Sequence, residues 1–73
     1  MIAYRIHSED CFRSEKLLPP VYAFTKKKTA LWYRDKYMQG KGRLIKIYGY
    51  FGRKHKDHPD QRIFNIAIVL EIY

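Results

Sequence analysis

Residues 62 to 73, RIFNIAIVLEIY, place Phe64, Ile66, Ile68, Leu70 and Ile72 at every second position, with Asn65, Ala67, Val69 and Glu71 between them. A period of two marks a strand with one apolar face, and a strand needs neighbours to satisfy its backbone. Three further stretches can supply them. IAYRIH, residues 2 to 7, sets Ile2, Tyr4 and Ile6 against Ala3, Arg5 and His7. VYAF, residues 21 to 24, is a short strand, and RLIKIYGYF, residues 43 to 51, sets Ile45, Ile47, Gly49 and Phe51 against Lys46, Tyr48 and Tyr50.

A single window has helical character. Thr25 is a plausible N-cap for TKKKTALWYRDKYMQ, and Gly40 and Gly42 supply the stop. At about 100° per residue, Ala30, Leu31, Tyr33, Tyr37 and Met38 share one broad face, while Trp32 falls opposite, beside Lys28 and Lys36. Residues 8 to 20, with the pair Pro19-Pro20, read as a loop, and GRKHKDHPDQ, residues 52 to 61, as a polar loop.

The expected fold is therefore α+β, in the order β-β-α-β-β: one four-stranded mixed sheet with a single helix packed on one face. The second strand, the helix and the third strand should make a right-handed crossover between parallel strands, and the last two strands a hairpin. One helix covers one face, here the side of Ile45, Ile47, Phe64, Ile66 and Ile68. The open face would then carry Arg5, His7, Lys46, Tyr48, Tyr50, Asn65 and Glu71.

At 73 residues the chain has room for one domain, and its 47% hydrophobic and 16% aromatic content is that of a folded unit rather than a solvated tail. Cys11 is the only cysteine, which excludes an internal disulfide and fits a reducing compartment. The start, MIAYRIHSED, is unlike a signal peptide, and no apolar run reaches the roughly 18 residues of a membrane span. The expectation is a cytoplasmic protein without a membrane partner, or a nuclear one if it meets DNA there.

Charge is distributed unevenly. Residues 1 to 25 are net neutral and residues 57 to 73 are net −2, whereas residues 26 to 56 hold eleven Lys and Arg against Asp35 alone, net +10. Such a stripe points to a polyanion or an acidic protein surface. Within it, Tyr48 and Tyr50 can stack on bases while Lys46, Arg53, Lys54 and Lys56 meet phosphates. Strand preference alone also accounts for two tyrosines. Lys26, Lys27 and Lys28 sit at the positive end of the helix dipole, an unfavourable place for cations that an anion would reverse, although a solvated charge run is the commoner reason for such a cluster. Trp32, flanked by Lys28 and Lys36, is either an anchor for a partner or a ring covered by the segment Leu17 to Pro20.

His55, Asp57, His58 and Asp60 lack the fixed helical spacing of a zinc motif, so no metal is assigned; Cys11 reads as an unreactive thiol, and no cofactor is expected. IYGYFG resembles an aromatic RNA-recognition strand but departs from the basic-glycine-aromatic pattern. The segment VYAFTKKKTALWYRDKYMQGKGRLIKI is similar to the strand, helix and strand of compact ADP-ribosyltransferase-like proteins. That resemblance implies a first-strand basic residue within YRIH and a late glutamate at Glu71. The same segment equally resembles the corresponding unit of a small phage inhibitor of host RNA polymerase.

The first expectation is a non-enzymatic protein that binds DNA or RNA through its basic stripe, with the sheet tyrosines assisting. The alternative is an interaction module or inhibitor docking on an acidic protein surface. A minimal enzyme using Glu71 ranks third, for want of a complete catalytic constellation. A homodimer is another use of an open sheet face.

Overall fold

The alternation that closes the sequence is two strands, not one. In the computed structural model, which describes residues 1–7, 21–58 and 60–73 and the backbone of 16–17, the elements are β1 (Ile2–His7), β2 (Lys16–Leu17), β3 (Val21–Phe24), α1 (Lys27–Tyr37), β4 (Arg43–Tyr50), β5 (Arg53–Lys54), β6 (Gln61–Phe64) and β7 (Ile66–Ile72). Asn65 separates β6 from β7. The expected loop at 8 to 20 is interrupted by β2; its other residues, Cys11 and Leu18 to Pro20 among them, lie outside those described.

Among the described residues all strands join one sheet in the order β2-β7-β4-β1-β3-β6-β5, seven strands when the two-residue pieces β2 and β5 are counted. The sheet is larger than the four strands expected. Every pairing is antiparallel, so it is not mixed either. The reason is the place of β1, which pairs with β3 on one side and β4 on the other. Running antiparallel to the same strand, β3 and β4 point the same way, but the helical crossover spans β1 rather than joining neighbours. The strand β4 does lie antiparallel to β7, as the expected hairpin requires, but the chain between them first visits the far edge of the sheet.

That detour forces the sheet to curl. In a flat sheet β6 and β7 would stand four strand spacings apart, about 19 Å, whereas the single residue between them spans at most about 7 Å. The two ends of the sheet therefore meet at the Asn65 corner, where the Asn65 amide donates to the Tyr50 carbonyl at 3.3 Å. A strand that bends and changes partners is how small β structures turn such corners.

The concave side of the curl is the main core. Ala3, Val21, Ala23, Ile45, Ile47, Phe64 and Ala67 are buried there, with Val69 packed against them. Three of these are alanines, and Gly49 adds a position with no side chain, so the strands can close tightly around the Phe64 ring. The fit is close: a Cβ on Gly49 would lie 2.3 Å from Phe64 Cδ1, and one on Gly52 would lie 2.4 Å from its Cε1.

The helix packs on the other, convex side. Ala30 is its fully buried residue, set among Ile6, Phe24 and Leu44, with Tyr4, Leu31, Tyr33 and Met38 around them. The expected inner face of α1 is thus met at Ala30, Leu31, Tyr33 and Met38, while Tyr37 turns outward. The expected sheet face is overturned. Ile45, Ile47 and Phe64 point away from the helix, because a sheet curled on itself covers its concave side without one. In β7 the break at Asn65 resets the phase, so Ala67 and Val69 face the core and Ile68 is exposed; past Val69 a bulge shifts the register again, setting Glu71 opposite Lys46 and Ile72 opposite Ile45.

The helix also starts differently. Its N-cap is Lys26, in an extended conformation and without a side-chain cap, rather than Thr25. Asp60 takes over the capping end from a distant loop: its carbonyl accepts the Thr25 amide at 2.7 Å, and its carboxylate lies 3.4 Å from Thr29 Oγ1 and 3.9 Å from Lys26 Nζ. At the other end the Arg34 carbonyl accepts from both Met38 and Gly40, and Gln39 and Gly40 turn left-handed at φ 54° and 74°. Gly40 and Gly42 act as the expected stop. No helix among the described residues is long and apolar enough to cross a membrane.

Candidate functional site

Register builds the first surface. Ile2 faces Tyr48 and Tyr48 faces Ile68, while Tyr50 faces Ile66, so these side chains form a patch on the convex face. Tyr48 and Tyr50 are 39% and 40% exposed, with their rings edge to face and centroids 4.9 Å apart. They share the convex face with the helix, contrary to the expectation of opposite faces. The helix reaches only the half of that face near Ile6, Phe24 and Leu44, and leaves the tyrosines open. Lys46, between Tyr4 and Glu71 in register, is half-buried.

Beyond Tyr50 the chain turns through Phe51, which sequence alternation had placed on the core side. Phe51 is 79% exposed at φ 57°. A bulky residue in the left-handed region is an outlier with a backbone cost. The Phe64 ring occupies the inner space beside Gly49 and Gly52, which leaves Phe51 only the outward course. Its signal in the sequence is its place between the tyrosine pair and Gly52, directly before Arg53, Lys54 and Lys56, all exposed.

The remaining predicted positions lie elsewhere. Lys26, Lys27 and Lys28 are exposed at the helix start, but Lys26 faces Asp60 and the Lys27 ammonium sits 4.3 Å from the Tyr73 ring centroid. The anion that would relieve a cationic helix start is supplied by the chain itself, as the Asp60 carboxylate. Trp32 is 52% exposed, packed edge-on against Tyr37 at 5.9 Å, with Lys36 Nζ 5.1 Å from its centroid.

Arg5 and His7, expected beside the tyrosines, point to the concave side. They stand opposite Ile45 and Arg43, His7 is buried, and Arg5 Nε donates to His7 Nδ1 at 3.3 Å. Glu71 pairs with Lys46 on the convex side. The basic residues of YRIH and the late glutamate are thus on opposite faces of the sheet and are not brought together. In the polar loop the His55 Nδ1 accepts the Asp57 amide at 3.2 Å, and the His55 and His58 rings lie 5.2 Å apart.

Together, Tyr48, Tyr50 and Phe51 followed by Arg53, Lys54 and Lys56 combine flat rings and ammonium or guanidinium groups along one continuous stretch of chain. Rings of this kind stack on unpaired bases, and such cations neutralise phosphates. No protein-family model matches the chain, and comparisons with curated proteins and with solved structures give no match.

Proposed function

We propose that the protein binds single-stranded nucleic acid, with Tyr48, Tyr50 and Phe51 stacking on bases and the cations of residues 26 to 56 holding the backbone. The observation that carries this reading is the exposed aromatic trio at the β4 end, with Phe51 in a costly backbone conformation and three exposed cations following it. Small curled sheets with aromatic faces and basic rims serve this purpose in other proteins. Site action here is binding rather than catalysis, and the expected setting is the cytoplasm.

The test is a titration of labelled DNA and RNA single strands at low salt. Binding by the native chain, weakened in Tyr48→Ala, Tyr50→Ala and Phe51→Ala, is the expected result. Absence of binding at low salt overturns the proposal.

A second reading rests on its own observation. Ile68, 38% exposed opposite Tyr48, and Ile2, 41% exposed on the other side of Tyr48, add aliphatic surface to the tyrosine patch that suits a protein partner better than nucleic acid. A partner retained in a pull-down after nuclease treatment favours this reading, and one lost with nuclease favours the first.

A further inference from the structure

The strands β1 and β3 are in register at one position, Tyr4 opposite Phe24. Past it they diverge, and the Arg5 guanidinium bridges the gap by donating to the Tyr22 carbonyl at 2.7 Å. Above this divergence, beneath the C-terminal half of α1, lies a cavity of about 370 Å³ lined by Tyr22, Phe24, Tyr33, Met38 and Gln61 among others. A smaller cup of about 120 Å³ adjoins it, lined by Trp32, Tyr37 and His58 and sharing Phe24, Tyr33 and Gln61 with the first. Small-molecule clefts begin at about 300 Å³, so the larger cup admits a ring system and the smaller one the face of a single ring.

The lining has a consistent chemistry. Four rings follow one another along the groove: Phe24 to Tyr33 at 5.4 Å, Tyr33 to Tyr37 at 5.0 Å and Tyr37 to Trp32 at 5.9 Å between centroids. The Gln61 carboxamide, with both donors and an acceptor, matches the edge of a base. A cation stands beside the smaller cup. Lys36 Nζ lies 5.1 Å from the Trp32 centroid and 5.7 Å from that of Tyr37. On the sheet side Arg53 is in register with Ile63, and Ile63 with Tyr22. Among the described residues no carboxylate lines either cup.

We propose that this helix-sheet groove is a second binding site, which seats two successive unpaired bases of a single strand, one in each cup, with Lys36 and Arg53 at the flanking phosphates. The occupant follows from the charge: aromatic walls alone would suit many ligands, but a lining without carboxylates and the Lys36 ammonium beside the Trp32 and Tyr37 rings favour one that carries phosphate. The inference rests on the reading of the protein as a single-strand binder, at a site separate from the Tyr48, Tyr50 and Phe51 patch.

Trp32 is the only tryptophan, so its fluorescence reports directly on the smaller cup. A short thymidine oligonucleotide should quench it saturably, and an abasic strand of the same length should not. Tyr37→Ala, at an exposed ring, and Gln61→Ala should each lower oligonucleotide affinity about five-fold or more while the melting temperature stays unchanged. Tyr48→Ala should leave the quenching amplitude intact. If oligonucleotides bind yet Trp32 fluorescence and the Tyr37→Ala affinity are unchanged, the groove is not a base site and the broader function survives. Equal quenching by the abasic strand reduces the site to anion binding at Lys36 and overturns the proposal. Failure of all strands to bind at low salt removes both.

Discussion

At the scale of single residues, Gly49 fits closely against the Phe64 ring. Alanine at position 49 would bring its Cβ to 2.3 Å from the Phe64 ring, so either the ring or strand β4 must move. Overpacking of this kind costs about 1 to 3 kcal/mol. Since each kcal/mol shifts the melting point of so small a domain by about 4 to 8 °C, Gly49→Ala should show a clear drop in thermal denaturation. Phe64→Ala should be worse, about 3 to 5 kcal/mol, through the void it leaves in a buried core. By contrast, Tyr48→Ala and Tyr50→Ala remove half-open rings from the convex face. Each should weaken single-strand binding by about 1 to 3 kcal/mol, five-fold or more, with little change in melting temperature. A strand-binding assay run beside a melt separates the two classes of residue, and a large loss of stability in the tyrosine variants would mean that these rings serve the fold.

At the scale of elements, the helix start depends on a loop far along the chain. The three lysines at its positive end are opposed by the Asp60 carboxylate, which also approaches Thr29 and Lys26. Asp60→Asn keeps the shape and removes the charge, so it should destabilise the domain by about 0.3 to 1 kcal/mol, with a smaller effect at high salt, where dipole and ion-pair contributions are screened. Denaturant titration at two salt concentrations measures this. Lys28→Gln relieves the dipole conflict without disturbing either the Asp60 pair or the Lys27 contact with Tyr73. It should leave stability equal or slightly raised, while lowering affinity for nucleic acid.

At the scale of the whole molecule, the net charge of +8 sets the character of binding. Each neutralised phosphate contributes about −0.7 to the slope of log K against log salt for a single strand and about −0.9 for a duplex. With cations at the β4 end and beside the helix-sheet groove engaged together, affinity should fall steeply between low and moderate salt. Titrations across a salt series give the number of phosphates engaged. Replacing Arg53, Lys54 and Lys56 by Gln should flatten the slope, whereas replacing Tyr48 should lower affinity at every salt concentration and leave the slope unchanged. A slope near zero for the native chain would place the partner outside nucleic acid and favour the apolar surface of Ile2, Ile68 and the tyrosines as a protein-docking surface.

Local pattern alone determined much of this protein. The strand segments, the helix, its glycine stop, the inner residues Ala30, Leu31, Tyr33 and Met38, the opposed phases of Ile45 and Tyr48, and the basic stripe all follow from periodicity, turn chemistry and charge, which act between near neighbours. Tertiary structure decided the rest: the break at Asn65, the insertion of β1 between β3 and β4, the face on which the helix lies, the outward Phe51 and the arrival of Asp60 at the helix start. A period of two states that a strand has two faces, but not which face is concave. Curvature depends on Ala3, Ala23, Gly49 and Ala67, small residues from four distant stretches that become neighbours of Phe64 only when the strands pair. Once they do, the sheet closes on its own alternating apolar side, and the helix is left the convex face with Ile6, Phe24 and Leu44.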